Sequence, residues 1–150
     1  MKRRDFVKKG ALITSLPFLN NLLFSKNIIQ NSSKLNFNLN YAPHFGMFKH
    51  HAGDDLIDQI QFMYDYGFKA IEDNGMKSRS KSMQEKISKK LQTLGMSMGV
   101  FIGSSIDWEK PTLTTGIKEF QNKFLNDLKE SIEVAKRVNA TWMTIVPGVI

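Results

Sequence analysis

From residue 35 onward the chain changes period repeatedly, from apolar residues at every second position to apolar residues at every third and fourth. Leu35 to Ala42 alternates Asn with apolar residues and predicts a strand. Asp54 and Asp55 then precede Leu56, Ile57, Ile60, Met63 and Tyr64, which share one helical face, and Gly67 stands where a C-cap belongs. "FKAIEDN", residues 68–74, reads as a second strand. Met83 to Leu94 predicts another amphipathic helix (Ile87, Leu91, Leu94) closed by Gly95, and "MSMGVFIGS", residues 96–104, a third strand. Ile117 to Val138 carries Phe120, Phe124, Leu125, Leu128, Ile132, Ala135 and Val138 along one side, and "TWMTIVPG", residues 141–148, predicts the fourth strand.

Strand and helix in alternation, with Gly just before the second and third strands, imply right-handed βα units and a parallel α/β sheet. A doubly wound sheet would carry a glycine-rich phosphate loop after an early strand, and neither G-x-G-x-x-G nor G-x-x-x-x-G-K occurs. A (β/α)8 TIM barrel needs no such loop and places its chemistry at the C-terminal ends of its strands. Those ends are polar here: Pro43-His44-Phe45-Gly46, Glu72-Asp73-Asn74-Gly75, Gly103-Ser104-Ser105 and Pro147-Gly148. With Ile71 facing the helices, Ala70, Glu72 and Asn74 point into the lumen. The same alternation sends Phe37, Leu39 and Tyr41 toward the helices, and Asn38, Asn40 and His44 toward the lumen.

Each candidate has a structural alternative. His44 either lines a substrate pocket or is a hydrogen-bonded residue at a strand end. Glu72, an inward carboxylate, is better explained by substrate contact than by a salt bridge within the barrel. Phe45, Phe48 and Phe101 can wall a pocket or simply pack. Trp108, in the loop after the third strand, is either a lid or a surface anchor. His50, His51, Asp54 and Asp55 have the composition of a metal site but no fixed ligand spacing, and N-capping of the following helix is the preferred role of the acids.

Composition fits a globular chain: 150 residues, 41% hydrophobic and 11% aromatic, are enough for one core or part of one. With no Cys there is neither a disulfide nor a thiolate site. The formal charge of +7 is mostly N-terminal. Six of the 21 Lys/Arg and one of the 14 Asp/Glu lie in residues 1–33, which leaves 15 against 13, or +2, from residue 34 onward. A body so nearly neutral lacks the clustered basic face that nucleic acid requires, and the run Met76-Lys77-Ser78-Arg79-Ser80-Lys81 reads as solvated loop rather than a phosphate site.

Residues 1–33 read as an export signal and spacer, with a basic start, an apolar stretch from Gly10 to Phe24 broken by Pro17 and Asn20-Asn21, and no stable transmembrane span. Arg3, Arg4 and Phe6 resemble the twin-arginine signal, although Val7 stands where Leu is usual and Lys2 where Ser or Thr is usual. That resemblance implies export in the folded state by the twin-arginine machinery, to the periplasm or beyond.

"NYAPHFGMF", "GFKAIEDN", "LGMSMGVFIG" and "ATWMTIVPG", in this order, resemble the opening half of the hydroxypyruvate isomerase-like branch of the xylose isomerase-like sugar isomerase/epimerase superfamily. The resemblance covers residues 35–150 and implies the first four βα units of a TIM barrel. It further implies an enzyme, a metal-assisted aldose-ketose isomerase of a small hydroxy-carbonyl compound or sugar. Such chemistry needs a metal to polarise the oxygens and carboxylates to move the proton. The family's catalytic glutamates and its ligands for Mg, Mn or Zn come from later strands, and no position here matches them. The expectation is therefore a piece of a protein roughly twice this length, inactive alone, that can form homo-oligomers. His44, Phe45, Glu72, Asn74 and Phe101 are the expected substrate-binding residues. A non-catalytic binding protein on the same fold is the alternative. An endonuclease IV-like repair enzyme is disfavoured by the neutral body.

Overall fold

The computed structural model describes residues 35–149. The export signal expected over residues 1–33, with Arg3, Arg4 and Phe6, lies outside the described residues. Helices α1 (Lys49–Ala52), α2 (Leu56–Asp65), α3 (Lys81–Leu94) and α4 (Lys118–Val138) alternate with strands β1 (Ala70–Ile71) and β2 (Ser97–Met98). Short 3-10 turns cover Met76–Ser78 and Leu113–Thr115.

The three long helices form where the apolar periodicity requires. Asp55 caps α2, its Oδ1 accepting from the backbone N–H of Ile57 and Asp58 at 2.7 and 3.1 Å. Ser80 caps α3 by accepting from Met83 N at 3.3 Å, and Gly95 ends that helix in the left-handed region at φ 64°. Asn139 does the same for α4 at φ 53°. The face of α4 is the expected one only in part: Val138 is buried and Phe120, Phe124, Leu128 and Ala135 are half-buried, but Leu125 and Ile132 are exposed while Ser131 and Val134 are buried. The cause is polar. Ser131 Oγ donates to Gly103 O at 2.6 Å, which draws this small side chain, rather than Ile132, against the sheet.

β1 and β2 pair in parallel, Ala70 with Ser97 and Ile71 with Met98. Isolated parallel bridges join His44 to Glu72 and Ile102 to Thr144. The four extended segments therefore neighbour one another in chain order, and α3 packs against both α2 and α4. Regular pairing is shorter than the sequence predicts. Ile71 O accepts from Gly99 N at 2.7 Å, but Asp73 N donates to Val100 O, one residue beyond the regular partner. This bulge at Gly99–Val100 ends the ladder. Gly99 is needed there, since a Cβ would stand 2.9 Å from Ile71 O.

The predicted first strand is corrected. Residues 35–43 are irregular, and pairing begins only where Pro43 O accepts from Glu72 N at 3.0 Å. Leu39 and Tyr41 are exposed rather than turned to the helices, as are Asn38 and Asn40, and Phe37 instead meets the rings of Tyr41 and Phe68. The alternation is present, but β1 offers only two residues as a template, too few to pair an eight-residue run. Ile71 behaves as expected: fully buried, it joins Ile60, Met63, Ile87, Leu91 and Val134 in the core beneath the helices.

Candidate functional site

Two polar groups meet at the ends of the first two extended segments. His44 Nε2 lies 2.9 Å from Glu72 Oε2, and the same two residues form the backbone bridge. The backbone thus sets the side-chain contact. Both side chains remain accessible, 41% and 31% exposed, so a ligand can reach them.

The segment after His44 is held by a buried amide. Gln59 on α2 accepts from Gly46 N at 2.7 Å and donates to Gly53 O at 2.8 Å, pinning both ends of the His-rich turn. Within it, His51 stacks on Phe62 at 5.8 Å and Lys49 pairs with Asp54 at 2.7 Å. Asp55 is an N-cap, as its position before the helix predicted.

The segment after Glu72 is held by a buried carboxylate. Asp73 accepts from Arg79 Nη2 at 3.0 Å and from Gly75 N at 3.1 Å, and the Arg79 guanidinium lies 5.2 Å from the Phe45 ring centroid. Phe45 is thereby half-buried beside the His44–Glu72 pair in sequence and packed on the core. Asn74 is exposed in the turn that follows. Phe101 is placed differently: it is fully buried in the core. The bulge explains this. Before it, the even positions Met96 and Met98 face the core; after it, Phe101, Gly103 and Ser104 are buried, so a residue expected to wall the pocket packs in the core instead.

A cavity of about 510 Å³ opens elsewhere on the described surface, between the loop after the third segment, the first half of α4, and Val146–Pro147. None of His44, Phe45, Glu72, Asn74 and Phe101 lines it. Its inner corner is Asp127 on α4, whose side chain is only 14% exposed. Burial pushes the Asp127 carboxyl up, but hydrogen bonds from Ser105 N at 3.0 Å, Lys123 Nζ at 3.0 Å and Lys77 Nζ at 3.1 Å outweigh it and hold the group well below the usual carboxylate range. At the rim, Asp107 Oδ1 accepts from Glu109 N at 2.9 Å and from Lys110 N at 3.2 Å, and these bonds, the first above all, lower its carboxyl too.

Gln59, Asp73 and Asp127 were not singled out by the sequence as site residues, and Lys77 and Arg79, read as part of a solvated loop, are instead mostly buried and paired with Asp127 and Asp73. Their partners lie in separate loops, and no local spacing marks them. Trp108, which was singled out, is 68% exposed at the cavity rim.

No family model, curated protein or solved structure matches the chain. Among the described residues no three His, Asp or Glu side chains gather as a metal ion requires. His44 and Glu72 offer two donors only, so the described residues do not fit the divalent ion that the resemblance implies. Among the described residues no helix is long and apolar enough to cross a membrane.

Proposed function

We propose that the chain contributes the opening βα units of a barrel enzyme that isomerises or epimerises a small hydroxy-carbonyl compound or sugar, with His44 and Glu72 in the wall of the substrate pocket. The observation that carries this reading is the 2.9 Å contact of His44 Nε2 with Glu72 Oε2 at the ends of adjacent parallel segments. Chain-order neighbours in both the sheet and the helix layer support a singly wound arrangement over a doubly wound one, and such a fold acts at its strand ends.

In this reading Glu72 orients the imidazole through Nε2, and Nδ1 is the atom that His44 turns to the substrate as general acid or base. Arg79 holds Phe45, and Gln59 holds Gly46, so that the turn following His44 is fixed before substrate arrives. Export by the twin-arginine route belongs to the same proposal and predicts a mature protein that lacks Arg3 and Arg4.

The test uses the native protein as its cell produces it, with both termini mapped. Hydroxypyruvate, D-xylose and D-fructose are incubated with it in D2O, with and without added magnesium, manganese or zinc, and proton NMR follows exchange beside the carbonyl. Exchange above the buffer rate with one of them, reduced at least about tenfold in Glu72→Gln, is the expected result. Absence of both exchange and aldose-ketose conversion, the second being the only signature of a hydride shift, with all three under every metal condition sinks the isomerase reading.

A further inference from the structure

We propose that Asn74-Gly75 is a latent deamidation site which the Asp73–Arg79 pair holds silent, so that loosening of that pair sets when Asn74 becomes aspartate or isoaspartate. The inference is independent of the isomerase reading, because it rests on the chemistry of one turn and its test reads mass rather than turnover.

Asn74-Gly75 is the one Asn-Gly step in the sequence, and Asn74 is exposed. In such a step the Gly nitrogen, with no side chain on the carbon that follows it, is free to attack the Asn side-chain carbonyl carbon. The bond from Gly75 N to Asn74 Cγ forms, the Gly75 amide proton passes to the Asn74 side-chain nitrogen, and that nitrogen leaves as ammonia. Water then opens the succinimide at either carbonyl, giving aspartate or, with the backbone rerouted through Cβ, isoaspartate. Water is consumed and ammonia released in equal measure, with no oxidant or reductant.

The fold blocks the first of these steps. In the succinimide, Asn74 Cγ occupies the position on Gly75 N that the amide hydrogen holds before reaction. That hydrogen is donated to Asp73 Oδ1, 3.1 Å from the nitrogen, so a carboxylate stands where Cγ must come. The carboxylate also opposes loss of the proton, since the nitrogen anion would face its negative charge. Asp73 is itself fixed: its side chain is 5% exposed and is gripped by Arg79 through both Nε and Nη2. The backbone is held as well, with Met76 N donating to Asp73 O at 3.0 Å and Ser78 Oγ donating to Gly75 O at 2.8 Å. Reaction therefore needs a local opening that frees Gly75 N. The product places a further carboxylate beside Glu72 and Asp73, where it competes for Arg79, so conversion once begun loosens the pair further.

The turn itself does not require glycine. Gly75 has φ −86° and ψ 1°, ordinary values for the third residue of a type I turn, and an added Cβ would meet Asp73 Oδ1 at 3.4 Å, a normal contact. Gly75→Ala thus removes the reactive step while keeping the turn, and serves as the blank.

The full-length protein and a peptide of residues 68–80, which has the same step without the fold, are kept in neutral buffer. Digestion and mass spectrometry follow the exchange of NH2 for OH at Asn74. The peptide converts, and the native chain converts at least about tenfold more slowly. Hydrogen exchange of the Gly75 amide, read by NMR, is slowed to the same degree within about threefold, because both reactions need the same opening. Arg79→Lys, with an unchanged circular dichroism spectrum, converts at least about threefold faster than the native chain, and Gly75→Ala does not convert at that position. Conversion of the native chain at the peptide's rate overturns the proposal. So does an Arg79→Lys chain that keeps its spectrum, loses stability and converts no faster. If Arg79→Lys does not keep the native spectrum, the native chain decides alone: a Gly75 amide that exchanges as fast as in the peptide overturns the proposal.

Discussion

Asp73 and Arg79 grip each other through two parallel hydrogen bonds, Nε to Oδ2 at 2.5 Å and Nη2 to Oδ1 at 3.0 Å, with the carboxylate side chain only 5% exposed. The guanidinium also covers Phe45, so one pair ties the turn after the second segment to the turn after the first. Arg79→Lys keeps the charge but loses the fork and the stacking plane, and is expected to cost about 1–2 kcal/mol. Asp73→Asn leaves the guanidinium uncompensated and is expected to cost about 2–3 kcal/mol. Urea unfolding at pH 7 separates the two if the slope of the transition is unchanged.

Asp127 makes stability pH-dependent on the acid side. Its carboxyl is held below the ordinary range in the folded chain. Its contribution is fully present above the unfolded value of about 4, and it is lost as pH falls through the folded value, because the unfolded chain takes up the proton first. Urea midpoints measured at successive pH values below neutrality therefore decline along the acid limb. Asp127→Asn flattens that decline and lowers stability near neutrality by about 2 kcal/mol.

Gly99→Ala places a Cβ 2.9 Å from the Ile71 carbonyl oxygen, a backbone atom that cannot swing aside, and 3.1 Å from Glu72 Cγ. A loss of about 1–3 kcal/mol is expected, with a weakened His44–Glu72 contact as the second consequence. Gly103→Ala is the informative contrast. There the Cβ meets Met143 Sδ at 2.6 Å, and a flexible thioether can move.

The His44–Glu72 pair contributes little to stability, for both side chains are about one-third exposed or more. A double-mutant cycle with His44→Ala and Glu72→Gln should return a coupling of less than about 1 kcal/mol in unfolding. If the pair serves the pocket, the same variants impair proton exchange far more than folding.

Asn139→Gly is expected to stabilise by about 0.5 kcal/mol, since Asn139 holds a left-handed φ of 53° at the end of α4 and glycine adopts it without strain. A rise in the thermal midpoint by a few degrees is the corresponding signature.

How much was legible follows from these residues. The long helices were readable because their periodicity and caps are local: Asp55 and Gly95 lie at the ends of the apolar runs they terminate. The polar segment ends that hold His44 and Glu72 were readable, but their pairing was not: the 2.9 Å pair is the role ranked second for Glu72 from sequence. The face of α4 was legible only in part, because Ser131 and Asp127 are polar residues turned inward by partners on Gly103 and Lys77, and a count of apolar positions puts them outside. Asp73 and Gln59 escaped for the same reason: their partners sit in turns that only the folded chain assembles. Phe101 went to the core, the packing role that the sequence left open beside a place in the pocket wall.

The broken ladder of the third segment acts as a switch of phase along one strand. Upstream of Gly99–Val100 the chain buries Met96 and Met98, and just downstream Phe101 rather than Ile102, so the two sides of the bulge speak to the core out of step. Removing a single residue at the bulge would put the two halves back in step, swing Phe101 out and bring Ile102 under α4, and so exchange the lining of one whole strand end without altering a residue there.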